Sequence, residues 1–345
     1  MHLKQSLIIA VTLVIISVTA WELFWRSQGV YPTLDDNEAL WANQRARVEK
    51  ATNNDILLMG SSRVLFDMQL DQWQEQTGIR PIQLASVGSS PLPIFHDVVE
   101  NTKFNGTILV GVTPGLFFST TNPDAQPWQW PQSKVDFYKK RTYAQMSNHL
   151  LSIPLQKNLA FISEDQGVDG VKLKELLGKI SIGNRVVDSM PPFHAFGEIA
   201  LDRNLKMKQI TVTDTAYANS VIKVWRFFMK AAASGPPPDK ASTMAFFLKD
   251  LKKFKARGGQ VILVRCPSSG SLRFGENMGV PRANFWDDLV KQSHVKAYHF
   301  EDYESLKNLK CPEESHLSGK DAAYFTTEIV KIMKADGALT NLKTN

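Results

Sequence analysis

Five short apolar runs separated by helical stretches constrain this chain more than any other feature. "DILLMG" (55–60) sets four apolar residues in a row and stops at a glycine. "RPIQLAS" (80–86) is weaker, "GTILVGV" (106–112) is as strong, and "GQVILVRC" (259–266) and "HVKAYHF" (294–300) complete the set. Runs of this length with little polar alternation read as strands buried on both faces. Between them the period changes. In "MAFFLKDLKKFKARGG", Met244, Phe247, Leu248, Leu251 and Phe254 share one helix face, and Gly258 supplies the stop. Near the C-terminus Ser318 and Asp321 form a capping signal, and Ala322, Phe325, Ile329 and Met333 then recur at helical spacing. Strands alternating with helices predict an α/β fold, a three-layer α/β/α sandwich around a five-stranded parallel sheet.

With 345 residues, 43% of them hydrophobic, the chain is long enough to bury a sizeable core. The net charge of +6 is scattered. The cluster "KKFKAR" (252–257) lies on the amphipathic helix above and reads as a solvated face. Zinc-finger spacing and aromatic–basic alternation are both missing, so no nucleic-acid partner is expected. The N-terminus is different. "SLIIAVTLVIISVTAWELFW" (6–25) is almost purely apolar, with Lys4 before it and Arg26 after it. At helical rise it reaches roughly 30 Å, about the hydrocarbon thickness of a bilayer. This predicts a cytoplasmic tail (1–5) and a transmembrane anchor (6–26), with Trp21 and Trp25 at the far interface. Val18-Thr19-Ala20 also suits a signal-peptide cleavage site, so anchor and cleaved signal stand as two readings. Either sends the rest of the chain across the inner membrane, which in a bacterium means the periplasm.

Residues 27–50 read as a linker and then a helix with Leu40, Trp41, and Ala46 or Val48 on one face. The stretch 122–240 has another character, because "PWQWP" (127–131), "SMPPFHAFG" (189–197) and "SGPPPDK" (234–240) interrupt the pattern. It reads as an inserted cap or lid in which "KQITVTD" (208–214) is a short strand. The main domain is then 51–121 with 241–340.

In open α/β sheets reactive groups collect at the carboxyl ends of the strands. The first strand runs into "GSSR", which delivers Ser61 and Ser62 there. The second leads to Gly88, and the third ends at Thr113 in "GVTP". After the fifth, "CPEESHLSGKDAAYF" places Glu313 three residues before His316 and directly ahead of the last helix. These types suit acyl transfer. A serine hydroxyl needs an adjacent base to take its proton, an imidazole titrates in the right range, and a carboxylate fixes the ring's tautomer. Amide and hydroxyl donors stabilise the oxyanion, each worth about 2.7–4 kcal/mol where measured.

In order and spacing these segments resemble the four blocks of the SGNH (GDSL-type) hydrolase and acyltransferase superfamily. "GSSR" is similar to the G-D-S block, Gly88 to the second-block glycine, "GVTP" to G-x-N-D and "EESH" to D-x-x-H. The resemblance covers roughly 50–121 and 241–340. It implies Ser62 as nucleophile, His316 as base and then acid, and Glu313 as its orienter, with Glu314 as the fallback. The oxyanion hole would be the amides of Ser62 and Gly88 with Thr113. Ser61 stands where the family has Asp, and Glu313 replaces an Asp. Thr113 replaces an Asn, which puts the third oxyanion donor in doubt. Within the superfamily the chain looks most like membrane-anchored members that work beside membrane-bound O-acyltransferases. That likeness implies an acyl group, acetyl first among them, moved onto or off a surface polysaccharide or related glycan, without metal or cofactor. The rival reading is a non-catalytic partner docked on such an acyltransferase or on a polymer-export complex; a free lipase or esterase is a third.

Other residues carry two readings each. Arg63 and Arg265 either bind an anionic substrate or pair with acids at the core edge. Trp128 and Trp130 are a sugar-stacking platform or ordinary lid packing. Cys266 and Cys311 form a disulfide bracing the His316 loop, should those strand ends be neighbours, or remain two thiols. His96 and His194 lack an acid at useful spacing and read as structural. No G-x-S-x-G, Walker or H-E-x-x-H pattern occurs.

Overall fold

All five apolar runs pair into one parallel sheet in the computed structural model, which describes residues 2–162, 180–181, 184–185 and 191–339. From the N-terminus the elements are α1 (His2–Ser27), α2 (Glu38–Val48), β1 (Ile56–Met59), α3 (Ser62–Asp67), α4 (Leu70–Thr77), β2 (Ile82–Gln83), α5 (Leu92–Asn101) and β3 (Thr107–Gly111). Then come α6 (Pro114–Phe117), α7 (Gln126–Lys140), α8 (Tyr143–Asn158), β4 (Ile180–Ser181), β5 (Asn184–Arg185), β6 (Gly197–Ile199), β7 (Leu205–Met207) and α9 (Gln209–Thr213). The chain continues through α10 (Thr215–Ala233), α11 (Lys240–Ala256), β8 (Gln260–Arg265), α12 (Gly270–Gly279), α13 (Trp286–Ser293), β9 (Lys296–His299) and α14 (Gly319–Ala335).

Strand order is β2-β1-β3-β8-β9, with register pairs such as Leu57 with Ile108 and Ile108 with Val261. Side chains alternate across the pleat. Leu57, Met59, Ile108, Val110, Val261 and Leu263 join Trp41, Phe95, Phe247 and Phe254 of the helices in one core. Their neighbours Ile56, Leu58, Leu109, Ile262 and Val264 are just as buried, which is why the runs lack polar alternation. From β1 the chain goes first to β2 on one side and later to β3 on the other, so the order reverses there. The crevice beyond the carboxyl ends of β1 and β3 is the switch point where open α/β sheets place ligands.

Two prolines that read as pattern breakers lie inside a helix. Pro127 occupies the first turn of α7, where its missing N–H costs nothing. Pro131 sits in the interior and cannot donate to the Pro127 carbonyl. The Ser90 N–H takes that place, donating to Pro127 at 2.8 Å. "KQITVTD" is helical as α9, not a strand. Lys208 N–H closes onto the Phe196 carbonyl at the end of the β6–β7 hairpin, and the Asp214 side chain then caps α10. Tertiary context thus overrides β-propensity.

Packing divides the chain into two compact units, Met1–Asp36 with Thr142–Ala195 and Asn37–Arg141 with Phe196–Asn345. The stretch read as one insertion is therefore shared, because α7 and everything from Phe196 onward belong with the sheet. Of "SMPPFHAFG", Ser189 and Met190 lie outside the described residues. In the first unit α1 is long and apolar enough to cross a membrane. Trp21 is exposed on it, whereas Trp25 packs against Val30 and Ala160.

Candidate active site

Ser61 ends the β1 turn as the N-cap of α3, its Oγ accepting the Arg63 N–H. The helix starts this close to the strand because Gly60 and Gly111 lack side chains. A Cβ on either would lie within 2.4 Å of Val64 Cγ2. Ser62 is thereby the first helical residue at the switch point, half-buried, with its Oγ 2.8 Å from His316 Nε2. His316 Nδ1 is 2.9 Å from Glu313 Oε1, which also accepts the His316 backbone N–H at 2.6 Å. An ionised carboxylate only accepts, so Nδ1 carries the proton and Nε2 is left to accept from Ser62. The predicted hydroxyl, imidazole and carboxylate are therefore in contact, in the order that proton abstraction from serine requires.

The stretch 196–233 supplies the surroundings. Trp225 of α10 donates its indole N–H to Glu313 Oε2, the oxygen that His316 does not use. The rings of Phe66, Phe196 and Trp225 lie 4.5, 5.5 and 5.9 Å from the imidazole, centroid to centroid. Both Glu313 and His316 have no exposed surface. A second tie joins the helix of Ser62 to the histidine loop, since Asp67 Oδ1 accepts the Leu317 N–H at 2.9 Å. Burial pushes the Asp67 carboxyl well above the usual carboxylate range. Nothing in the sequence pointed to Trp225 or Phe196, which lie outside the resembling segments.

Gly88 has φ +59°, and a Cβ there would lie 3.0 Å from the Trp130 ring. The Ser90–Pro127 bond described above fastens this loop to α7. Thr113 does reach the switch point, where its Oγ1 lies 2.5 Å from Ser61 Oγ in a hydrogen bond that either hydroxyl can donate.

Most remaining candidates resolve to structural roles. Arg63 and Arg265 are both buried and share one carboxylate, Glu276, at 2.6 and 2.5 Å. Burial alone would raise Glu276, but Arg265 and Arg63 outweigh it and hold the carboxyl down at about 2. Glu314, at φ +74°, turns away from the imidazole; its carboxylate accepts from Ser271 Oγ and from the Leu272 N–H at the start of α12. Trp128 is a core residue, edge-on to Phe246. Only Trp130 is exposed. Cys266 and Cys311 are buried free thiols, not a disulfide. Burial pushes both well up, so they stay protonated at neutral pH. The bracing expected of a bridge comes instead from Ser269, whose Oγ accepts the Cys311 N–H at 2.9 Å and whose N–H donates to the Glu314 carbonyl at 2.8 Å. His96 does have an acid after all, Asp250 at 2.8 Å, supplied by α11 from 154 residues away.

Compared with known proteins, the chain matches no family model and no curated sequence.

Proposed function

We propose that this chain is a membrane-anchored serine acyl-transfer protein of the SGNH type, a three-layer α/β/α sandwich whose main domain faces the periplasm. It would move an acyl group, acetyl in the simplest case, onto or off a surface polysaccharide or related glycan. The observation that carries the reading is the chain of contacts Ser62 Oγ–His316 Nε2 and His316 Nδ1–Glu313 Oε1 at 2.8 and 2.9 Å. In this reading Ser62 Oγ attacks the acyl carbonyl while its proton passes to Nε2. The carbonyl electrons move to an oxyanion facing the Ser62 and Gly88 amides. Collapse then expels the donor's alcohol, which takes the proton back from His316 and leaves an acyl-serine. The acceptor hydroxyl reverses these steps. Transfer and hydrolysis share this acyl-serine; only the acceptor differs, a sugar hydroxyl in one and water in the other.

The test is chemical. Cells carrying Ser62→Ala in the full chain should lose O-acyl esters from one surface glycan, read by mass spectrometry of the released sugars. Ester content equal to wild type contradicts the proposal.

Two observations favour the second reading, a non-catalytic partner of a membrane-bound O-acyltransferase. A threonine, hydrogen-bonded to Ser61, stands where the family has Asn, and His316 is buried. Under this reading Ser62→Ala leaves the esters intact, while removal of the whole protein abolishes them.

A further inference from the structure

Helix α8 buries two polar side chains and exposes three leucines. On a 3.6-residue period its polar His149 and Gln156 fall on one side and are buried. Tyr143, Leu150, Leu151, Pro154 and Leu155 fall on the other and are exposed, Leu151 by 71% and Leu150 by 64%, with the exposed polar Ser147, Asn148 and Asn158 among them. Single exposed leucines are ordinary; three together with a tyrosine, interspersed with uncharged polar side chains and opposite a buried polar pair, suit a boundary between water and lipid.

The position of α8 says what that is. Its end and the 3₁₀ turn after it, Ala160–Ile162, are tied to the last turns of α1. Glu22 accepts the Ala160 and Phe161 N–H groups at 2.9 and 3.3 Å, and Arg26 donates to the Asn158 carbonyl at 3.0 Å. On the inner side Gln156 accepts the N–H of Asp35, in the segment that leaves α1, at 3.2 Å. The apolar stripe therefore begins at the level where a span formed by α1 would emerge from the bilayer. The sequence of α8 holds no acidic residue to repel anionic headgroups. Pro154 also removes the N–H that would bond the Leu150 carbonyl, a group that water reaches at a membrane surface but not in its hydrocarbon.

We propose that α8 lies along the membrane surface, with Leu150, Leu151 and Leu155 in the boundary between headgroups and acyl chains. This rests on α1 being a span, and the test separates the two. Nitroxide labels go on Leu151→Cys, on Ile15→Cys within α1 and on exposed Lys252→Cys, in the full chain in phosphatidylcholine–phosphatidylglycerol vesicles. Cys266 and Cys311 are buried and spared. Power saturation then compares access to oxygen, which dissolves in lipid, with access to a nickel chelate, which does not. The expected result is an oxygen-to-nickel ratio at Leu151 several-fold above that at Lys252 and below that at Ile15. Nickel access at Leu151 equal to that at Lys252, with Ile15 protected, overturns the proposal and leaves the span standing. Nickel access at both overturns both. Protection of Leu151 from both reagents, with spin–spin broadening, assigns the face to a second copy and also overturns it. Leu155→Cys gives the same reading should Leu151→Cys accumulate poorly.

Discussion

Trp225 holds the oxygen of Glu313 that His316 leaves free, so both carboxylate oxygens of the buried acid have donors. The contact comes from α10, far in sequence from every segment that suggested a site. It makes Trp225 a positioning residue, acting on the imidazole through the carboxylate.

Trp225→Phe keeps the ring against His316 and removes only the N–H. A hydrogen bond to a charged group is worth about 1.5–3 kcal/mol, so reaction of Ser62 with an activated ester should slow by roughly 10–100-fold. The loss should fall on kcat, with KM nearly unchanged, because the indole N–H is directed at Glu313. An unchanged kcat would remove Trp225 from the catalytic arrangement.

Gly88→Ala should destabilise the protein by about 1–2 kcal/mol, the cost of a side chain at positive φ, and crowd Trp130 as well. Adding Trp130→Ala relieves the crowding but not the backbone strain. Thermal unfolding of the single and double variants should therefore show partial recovery only. Full recovery would mean that sterics alone require the glycine.

Glu276 neutralises two buried guanidinium groups, and Glu276→Gln leaves both without a counter-charge. Breaking such a pair costs about 3–5 kcal/mol, which for a domain of this size lowers Tm on the order of 10 °C. An unchanged Tm would contradict the shared role. Because its folded value lies near 2, the stabilisation is fully present above the ordinary carboxylate range and is lost as pH falls toward about 2.

His299 should make the fold sensitive to mild acid. Burial, then the charges of Arg265, Arg282 and Arg273, hold this imidazole down at about 2. Its Nδ1 accepts the Glu301 N–H at 3.2 Å, as a neutral ring can. The unfolded chain takes up the proton near pH 6.5 and the native state does not. Stability therefore declines as pH falls from about 6.5 toward 2, by a limiting slope near 1.4 kcal/mol per unit. Urea midpoints at pH 7 and pH 5 should differ less in His299→Asn than in wild type. Equal differences would contradict the assignment.

The strands were legible because burial on both faces forces unbroken apolar runs, and all five fall inside the stretches read for them. Ser62, Glu313 and His316 were legible because strand ends and a helix cap fix where loops emerge. What escaped depended on long-range partners. Arg63 and Arg265 gave no sign that Glu276 lies between them, nor did Thr113 show that its hydroxyl would meet Ser61. "PWQWP" read as a break because the sequence does not reveal that Ser90 can take over the Pro127 carbonyl. Trp225 lies in the stretch read as a cap, where no motif singled it out.

The central claim is that Ser62 is an activated nucleophile, and a fluorophosphonate probe on the full chain tests it most directly. Wild type should be labelled, with the adduct on Ser62 by peptide mass, and Ser62→Ala should not. A folded wild-type protein that takes no label, or a Ser62→Ala protein that labels equally, would contradict the account.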